Sequence, residues 1–218
     1  MPNLKIARLG PLFAASLIAA ACAGPAAAGN EAAQTRATAN FNKVQLDGYF
    51  EADIRSGESR TSVVLSGDPS ILTRITTDVR DGTLFVGMKS GTNNVNTPTR
   101  VAISLPALRA LSNAGAGLVN ITGLGGEDIA IANDGAAAIR AAGRASRESL
   151  TLDGVGKIDA SGVDARDVSA DNNGVGRITL RASGRLTMSV NGVGEIRYTG
   201  NPASVQSQVN GLGRISRF

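Results

Sequence analysis

The chain has 218 residues, no histidine, a single cysteine (Cys22), no tryptophan and only 3% aromatic residues. Lack of histidine rules out a Ser-His-Asp hydrolase, and one cysteine gives neither an internal disulfide nor a Cys/His metal centre. A formal charge of +4, with bases scattered among acids and no Lys/Arg run, leaves no electrostatic footprint for nucleic acid.

Residues 1–28 have the three-part layout of a secretory signal peptide. Lys5 and Arg8 precede an apolar stretch, and Ala26-Ala27-Ala28 forms a small-residue cleavage site before Gly29. The apolar run is shorter than the ~20 residues of a membrane-spanning helix, so no span is expected in the mature chain. An exported protein of the periplasm, the outer membrane or the cell surface is expected. Cys22 admits a second reading, a lipid anchor. The Ala19-Ala20-Ala21 triplet before it lacks the usual large aliphatic residue, which favours loss of Cys22 with the signal. Residues 29–40 are polar, small and aperiodic and read as a flexible leader.

From residue 41 to 89 apolar residues alternate: Val44 and Leu46, then Phe50, Ala52 and Ile54, then Val63 and Leu65, then Leu84 and Val86. This is strand patterning, with Asp81-Gly82 as a tight turn. Asp68-Pro69-Ser70 is a helix start, with Asp as cap and Pro in the first turn. The Thr-rich segment after it leaves residues 69–79 open between short helix and strand. Residues 90–99 form a polar loop. Residues 100–111 restart the alternation, with Pro106 at a corner.

The last hundred residues repeat one phrase: NAGAGLVNI, NDGAAAIRA, LDGVGKIDA, NNGVGRITL, VNGVGEIRY and VNGLGRISR. The anchoring glycines are Gly115, Gly135, Gly154, Gly174, Gly192 and Gly211, so the period is about 19 residues. A unit this short cannot bury its own apolar face, but stacked copies can. The expected fold is all-β: a parallel β-helix, or β-solenoid, with coils of ~19 residues and less regular N-terminal coils. One domain is expected over residues 41–218, with regular repeats over 113–218. Stacking would place Val119, Ile139, Ile158, Ile178, Ile196 and Ile215 in one internal column at ~4.8 Å steps. Corner glycines are expected to supply positive φ. The residues before them (Ala114, Asp134, Asp153, Asn173, Asn191 and Asn210) either form an amide ladder or are ordinary turn chemistry. An outer-membrane barrel would need longer strands and aromatic girdles. A calcium β-roll would need a period half as long.

Four segments taken in order, FNKVQLDGYFEADIRSG, ILTRITTDVRDGTLFVGMK, RVAISLPALRALSNAGAG and the NGVG turns, resemble the auto-transporter adhesin, head GIN domain family. The resemblance covers about residue 41 to the end. It implies an exported bacterial β-solenoid and carries over no catalytic or binding residue.

No catalytic, metal-binding or cofactor-binding residue and no cofactor is therefore expected. The leading functional expectation is a non-catalytic envelope or surface protein, adhesive or binding a glycan or another exported protein. Its candidate outward row is Leu118, Ala138, Lys157, Arg177, Glu195 and Arg214. The alternatives are a polysaccharide-active enzyme, for which Asp159, Asp164, Asp167 and Asp171 are the densest acids, and an envelope-sensing accessory protein. Alternation would scatter those four acids over different faces. After Ile215 no charged or helical cap is evident, so the terminal edge is expected to pair in a homodimer or be shielded by Arg214 and Arg217.

Overall fold

The computed structural model describes residues 31–89, 98–126 and 128–218. The expected signal peptide, Cys22 and most of the 90–99 loop lie outside the described residues. In chain order the elements are β1 (Ala32–Arg36), β2 (Lys43–Asp47), β3 (Tyr49–Ser56), β4 (Ser62–Gly67), α1 (Pro69–Leu72), β5 (Ile75–Arg80), β6 (Thr83–Met88), β7 (Thr99–Leu105), β8 (Ala110–Asn113) and β9 (Ala116–Leu124). They continue with β10 (Asp128–Asn133), β11 (Ala136–Leu152), β12 (Val155–Asn172), β13 (Val175–Ala182), β14 (Arg185–Val190), β15 (Val193–Gly200), β16 (Ser204–Val209) and β17 (Leu212–Arg217).

The fold is a β-solenoid. In β2–β3 and from β8 onward each rung is a strand, a glycine corner and a second strand, and rungs pair in parallel with their neighbours. One side of the coil stacks β6, β2, β8, β10, the second parts of β11 and β12, β14 and β16. The other stacks β7, β3, β9, the first parts of β11 and β12, β13, β15 and β17. β11 and β12 run on from one side to the other, and between their main faces Ala142–Ala145 pair with residues 162–165 as a short third side.

The inward rows are the alternating apolar residues of the sequence. Val119, Ile139, Ile158, Ile178, Ile196 and Ile215 are register partners down the stack, as expected. Ile158 is fully buried, worth about 2–3 kcal/mol for a side chain of its size. Stacking like upon like makes a narrow core of Ile, Leu, Val and Ala, which has little room for aromatic rings.

The first third departs from simple stacking. The β2–β3 rung precedes β6–β7 in the chain, yet lies between it and β8–β9 in the stack: Val44 is opposite both Leu84 and Leu111. The end of the stack beyond β6–β7 is closed by antiparallel strands. β5 pairs with β6, β4 with β7, and β1 with β4.

One expectation needs correction here, and one left open is settled. Residues 32–36 of the expected flexible leader form β1, because their backbone completes the edge of β4 from Ala32 opposite Gly67 to Arg36 opposite Val63. Arg36 also donates to the Leu72 carbonyl at 2.7 Å. The 69–79 segment contains both candidate structures. Asp68 caps α1, accepting from the Ser70 amide at 2.8 Å with Pro69 in the first turn, and the helix ends at Thr73 after four residues. The segment then continues as β5. The Ser70 hydroxyl and amide hold the Asp68 carboxyl below its ordinary pKa.

The anchoring glycines are also explained differently from the expectation. None of the six has positive φ. Each lies against the glycine of the rung before. The Val155 amide, for example, donates to the Gly135 carbonyl at 2.9 Å and the Val175 amide to the Gly154 carbonyl at 2.9 Å. A Cβ on Gly154 would collide with that Gly135 carbonyl. Close approach excludes a side chain here, and the conformational demand falls on the second glycine of the phrase, such as Gly176 with φ 151°. The stack also contains a seventh corner that the repeat did not reveal. Gly48 lies under Gly115, and its carbonyl accepts from the Ala116 amide at 2.8 Å.

Candidate interaction face

Two ladders run down the corner side of the coil. The residue before each corner glycine forms the first. Asn173 donates to Asp153 at 2.7 Å, Asn191 to Asn173 at 2.8 Å, and Asn210 to Asn191 at 2.9 Å. The expected amide ladder is thus present from Asp153 to Asn210, on the exposed surface.

A second amide row lies inside and had no sequence expectation. Asn113, Asn133, Leu152, Asn172 and Val190 are successive partners. Asn113 donates to Asn133 at 2.9 Å and to the Gly115 carbonyl at 3.1 Å, and Asn172 donates to the Gly176 carbonyl at 3.1 Å. These buried amides tie the corners from within. Their position two residues before the corner glycine is visible in the repeat, where Asn alternates with Leu and Val.

On the outer surface just past each corner is a row that sequence reasoning missed. Ala136, Val155, Val175, Val193 and Leu212 are register partners. Val155, Val175 and Val193 are about half exposed and Leu212 is 80% exposed. The signal was available. Counting back by twos from the buried Ile158 puts Val155 on the outside.

The expected charged row lies next to it: Leu118, Ala138, Lys157, Arg177, Glu195 and Arg214 are successive partners. It is not uniformly exposed. Glu195 is only 8% exposed, covered by Arg177 and Arg214 at 3.0 Å each and by Arg197 at 3.8 Å. Burial opposes ionisation of Glu195, but hydrogen bonds from Arg214, Ser216 and Arg177 outweigh it and hold the carboxyl below its usual range.

The four candidate acids are not brought together. Asp159 accepts from the Ser161 hydroxyl at 2.6 Å, Asp164 pairs with Arg181 at 3.3 Å, and Asp167 accepts from the Arg185 amide at 2.8 Å. The Asp171 carboxyl is raised by its own desolvation and then by Asp153. Among the described residues no group of three or more acids is placed to hold a metal ion.

On the opposite side of the coil a recess of about 390 Å³ lies over the small residues Ala130, Ser149 and Ser169. Its wall is a ladder of alternating charge, Asp128, Arg147 and Asp167. Arg147 holds Asp128 by two hydrogen bonds, at 2.8 and 2.7 Å. That contact keeps the Asp128 carboxyl below its ordinary pKa.

Beneath this wall Glu148 occupies an inward row between Ile129 and Val168. It is 2% exposed, and neither carboxyl oxygen has a hydrogen-bond partner among the described residues. Desolvation pushes its pKa up to about 8.

The family described as "Putative auto-transporter adhesin, head GIN domain" matches residues 40–202. The chain belongs to this family. Among solved structures, a "putative adhesin" of Bacteroides fragilis is 25% identical with a TM-score of 0.71, over 86% of this chain and 97% of its own. Two further structures align over 88% of this chain. One is a "putative adhesin" of Parabacteroides merdae, 17% identical with a TM-score of 0.45 over 97% of its own chain. The other is a "Putative lipid binding protein" of Parabacteroides distasonis, 16% identical with a TM-score of 0.46 over 98% of its own chain. No curated protein matches the chain. Among the described residues no helix is long and apolar enough to cross a membrane.

Proposed function

We propose that this GIN-domain protein is an exported, non-catalytic protein of the bacterial envelope or cell surface that binds a glycan or another exported protein through its flat outer face. The observation that carries this reading is the exposed Val155, Val175, Val193 and Leu212 row beside the Lys157–Arg177–Glu195–Arg214 row. Apolar side chains repeating at one rung spacing on solvent are what a binding face keeps uncovered. Family membership and the likeness to the "putative adhesin" of Bacteroides fragilis support adhesion as the task. The separate engagement of Asp159, Asp164 and Asp167 supports a role without catalysis, since glycoside cleavage uses two carboxyl groups flanking one bond.

A glycan array and an envelope pull-down with the full chain test the reading. We expect capture of a specific glycan or exported protein, weakened at least tenfold by Val175→Asp with the fold retained. Equal capture by the native chain and the variant would count against this face as the binding surface.

A further inference from the structure

One rung of the coil is a residue shorter than both of its neighbours. Gly115 to Gly135 is 20 residues, Gly135 to Gly154 is 19, and Gly154 to Gly174 is 20. The register shows where the residue is missing. Ala141 is opposite Ile121 and Gly143 opposite Leu124, so Thr122 and Gly123 of β9 face Ala142 alone. Arg140 is opposite Asp159 and Ala142 opposite Gly162, so Ala160 and Ser161 of β12 face Ala141 alone. At each interface two residues meet one, as in a β-bulge. The short rung turns inside the two longer ones, and a recess of about 440 Å³ lies at this notch, with Ala142 and Gly162 in its lining.

The polar groups of the recess come from one outward row. Asp53, Asn120, Arg140 and Asp159 are successive register partners and all line it. They cover three rung steps, about 14 Å at strand spacing. Each carboxylate is held through one oxygen. Asp53 accepts from the Asn120 side chain at 3.2 Å, and one oxygen of Asp159 accepts from the Ser161 hydroxyl and amide at 2.6 and 3.2 Å. The second oxygen of each has no partner among the described residues. Arg140 lies one rung from Asp159 yet forms no ion pair with it, and its guanidinium makes no hydrogen bond among the described residues. Elsewhere on the coil such neighbours are joined, as Arg147 is to Asp128 and Arg177 to Glu195.

Charge selects the ligand. An anion on Arg140 would meet the Asp159 carboxylate, and a cation on Asp159 would meet Arg140. A hydroxyl both donates and accepts, so adjacent hydroxyls of one neutral molecule satisfy both signs. Hydrogen bonds to charged groups are roughly twice as strong as those between neutral ones.

We propose that the notch at Ala141–Ala142 is a binding site for a short stretch of neutral glycan, with Arg140 donating to its oxygens and Asp159 and Asp53 accepting from its hydroxyls. The site rests on the glycan reading given above and adds a place and a ligand class to it. It lies two residues along the strands from Ala138 and Lys157, and shares no residue with the valine row.

The probes are neutral trisaccharides of glucose, mannose and N-acetylglucosamine. A galacturonate trimer and a glucosamine trimer are the anionic and cationic controls. Each is titrated into the full chain by calorimetry. At least one neutral trimer is expected to bind at least tenfold tighter than both charged ones. Arg140→Met keeps an apolar stem and removes the donors, and Asp159→Ala removes an acceptor. Each should weaken the neutral trimer at least tenfold. Asp159→Ala should also raise the affinity for the galacturonate trimer relative to the neutral one, which a loss of local structure would not do. Val175→Asp should leave trimer binding unchanged. The site would be overturned by no binding of any neutral trimer, by tighter binding of a charged trimer to the native chain, or by neutral binding that survives both Arg140→Met and Asp159→Ala. Trimer binding lost in Val175→Asp and kept in Arg140→Met would also overturn it, and would put the glycan on the valine row. If no trimer binds while capture in the envelope pull-down still depends on Val175, the notch fails and the valine face stands.

Discussion

Glu148 is the residue at which this chain most departs from its own pattern. Leu150 and Leu152 are inward, and counting back by twos puts Glu148 inward too, in a row with Ile129 and Val168. The sequence contains that information, but a single acid in a strand reads naturally as surface. Burial without a hydrogen-bond partner raises the carboxyl to about 8 from an ordinary 4.5. The sign follows from proton binding. Between pH 4.5 and 8 the folded chain holds a proton there that the unfolded chain releases. Stability is therefore full below about pH 4.5 and falls as pH rises, by about 3 kcal/mol at pH 7. Glu148→Leu should remove this slope. Chemical denaturation at pH 5 and pH 8 checks it: the native chain should lose stability between the two, and the variant should lose several-fold less. Equal loss in both would show that Glu148 is not the group responsible. Glu195 has the opposite sign. Its lowered pKa contributes stability at neutral pH that is lost as pH falls below the ordinary carboxylate range.

At the scale of the element, the glycine corner decides how closely rungs approach. The repeat showed where the corners are, and the internal column from Val119 to Ile215 followed from it without error. What single-strand patterning could not show is what a corner glycine touches, because its neighbour lies one rung away. Hence the positive φ was expected at Gly154 and is found at the second glycine of such phrases, as at Gly176. The same blindness hid Gly48. Its phrase, LDGYF, is some seventy residues from the repeats and lacks the second glycine. Gly154→Ala would drive a methyl into the Gly135 carbonyl, between two backbones that are hydrogen-bonded together. We expect a loss of about 3 kcal/mol, the upper end for overpacking. The control is Gly87→Ala within β6. There an added Cβ meets Thr76 and the Asp47 carbonyl at ordinary contact, 3.5 and 3.7 Å, and φ is not positive. That change should lie within about 0.5 kcal/mol of the native chain, or stabilise it by stiffening the unfolded state. Thermal unfolding of the two variants side by side is sufficient. If Gly154→Ala were as mild as Gly87→Ala, close packing of corners would not be what selects glycine.

Across the whole molecule, chain order and stack order agree from β8 onward and disagree before it. The agreement made the repeats legible. The disagreement was invisible, since nothing in the alternation of Val44, Leu46, Phe50, Ala52 and Ile54 tells that this rung is inserted between two later ones. The consequence is an unequal tolerance to deletion. In a stack each rung contacts only its neighbours, so a terminal rung contributes one interface and an internal rung two. Removing residues 201–218 takes away β16 and β17, which among the described residues pair only with β14 and β15. We expect the remainder to stay folded, with a lower melting temperature and one cooperative transition. Removing residues 31–56 has a different effect. It takes out β2 and β3 and leaves β6–β7 without the rung that joins it to β8–β9. It also removes β1 from the β4 edge. Leu46, Phe50 and Ile54, all fully or almost fully buried, leave with that rung. The two halves of the stack then face each other across a missing layer, and the connecting chain is set for a separation of two rungs. This deletion should abolish the β-sheet circular dichroism signal and the cooperative transition, although it removes only somewhat more residues than the terminal one. Similar melting curves for the two deletions would mean that the inserted rung does not hold the first third of the coil to the repeats.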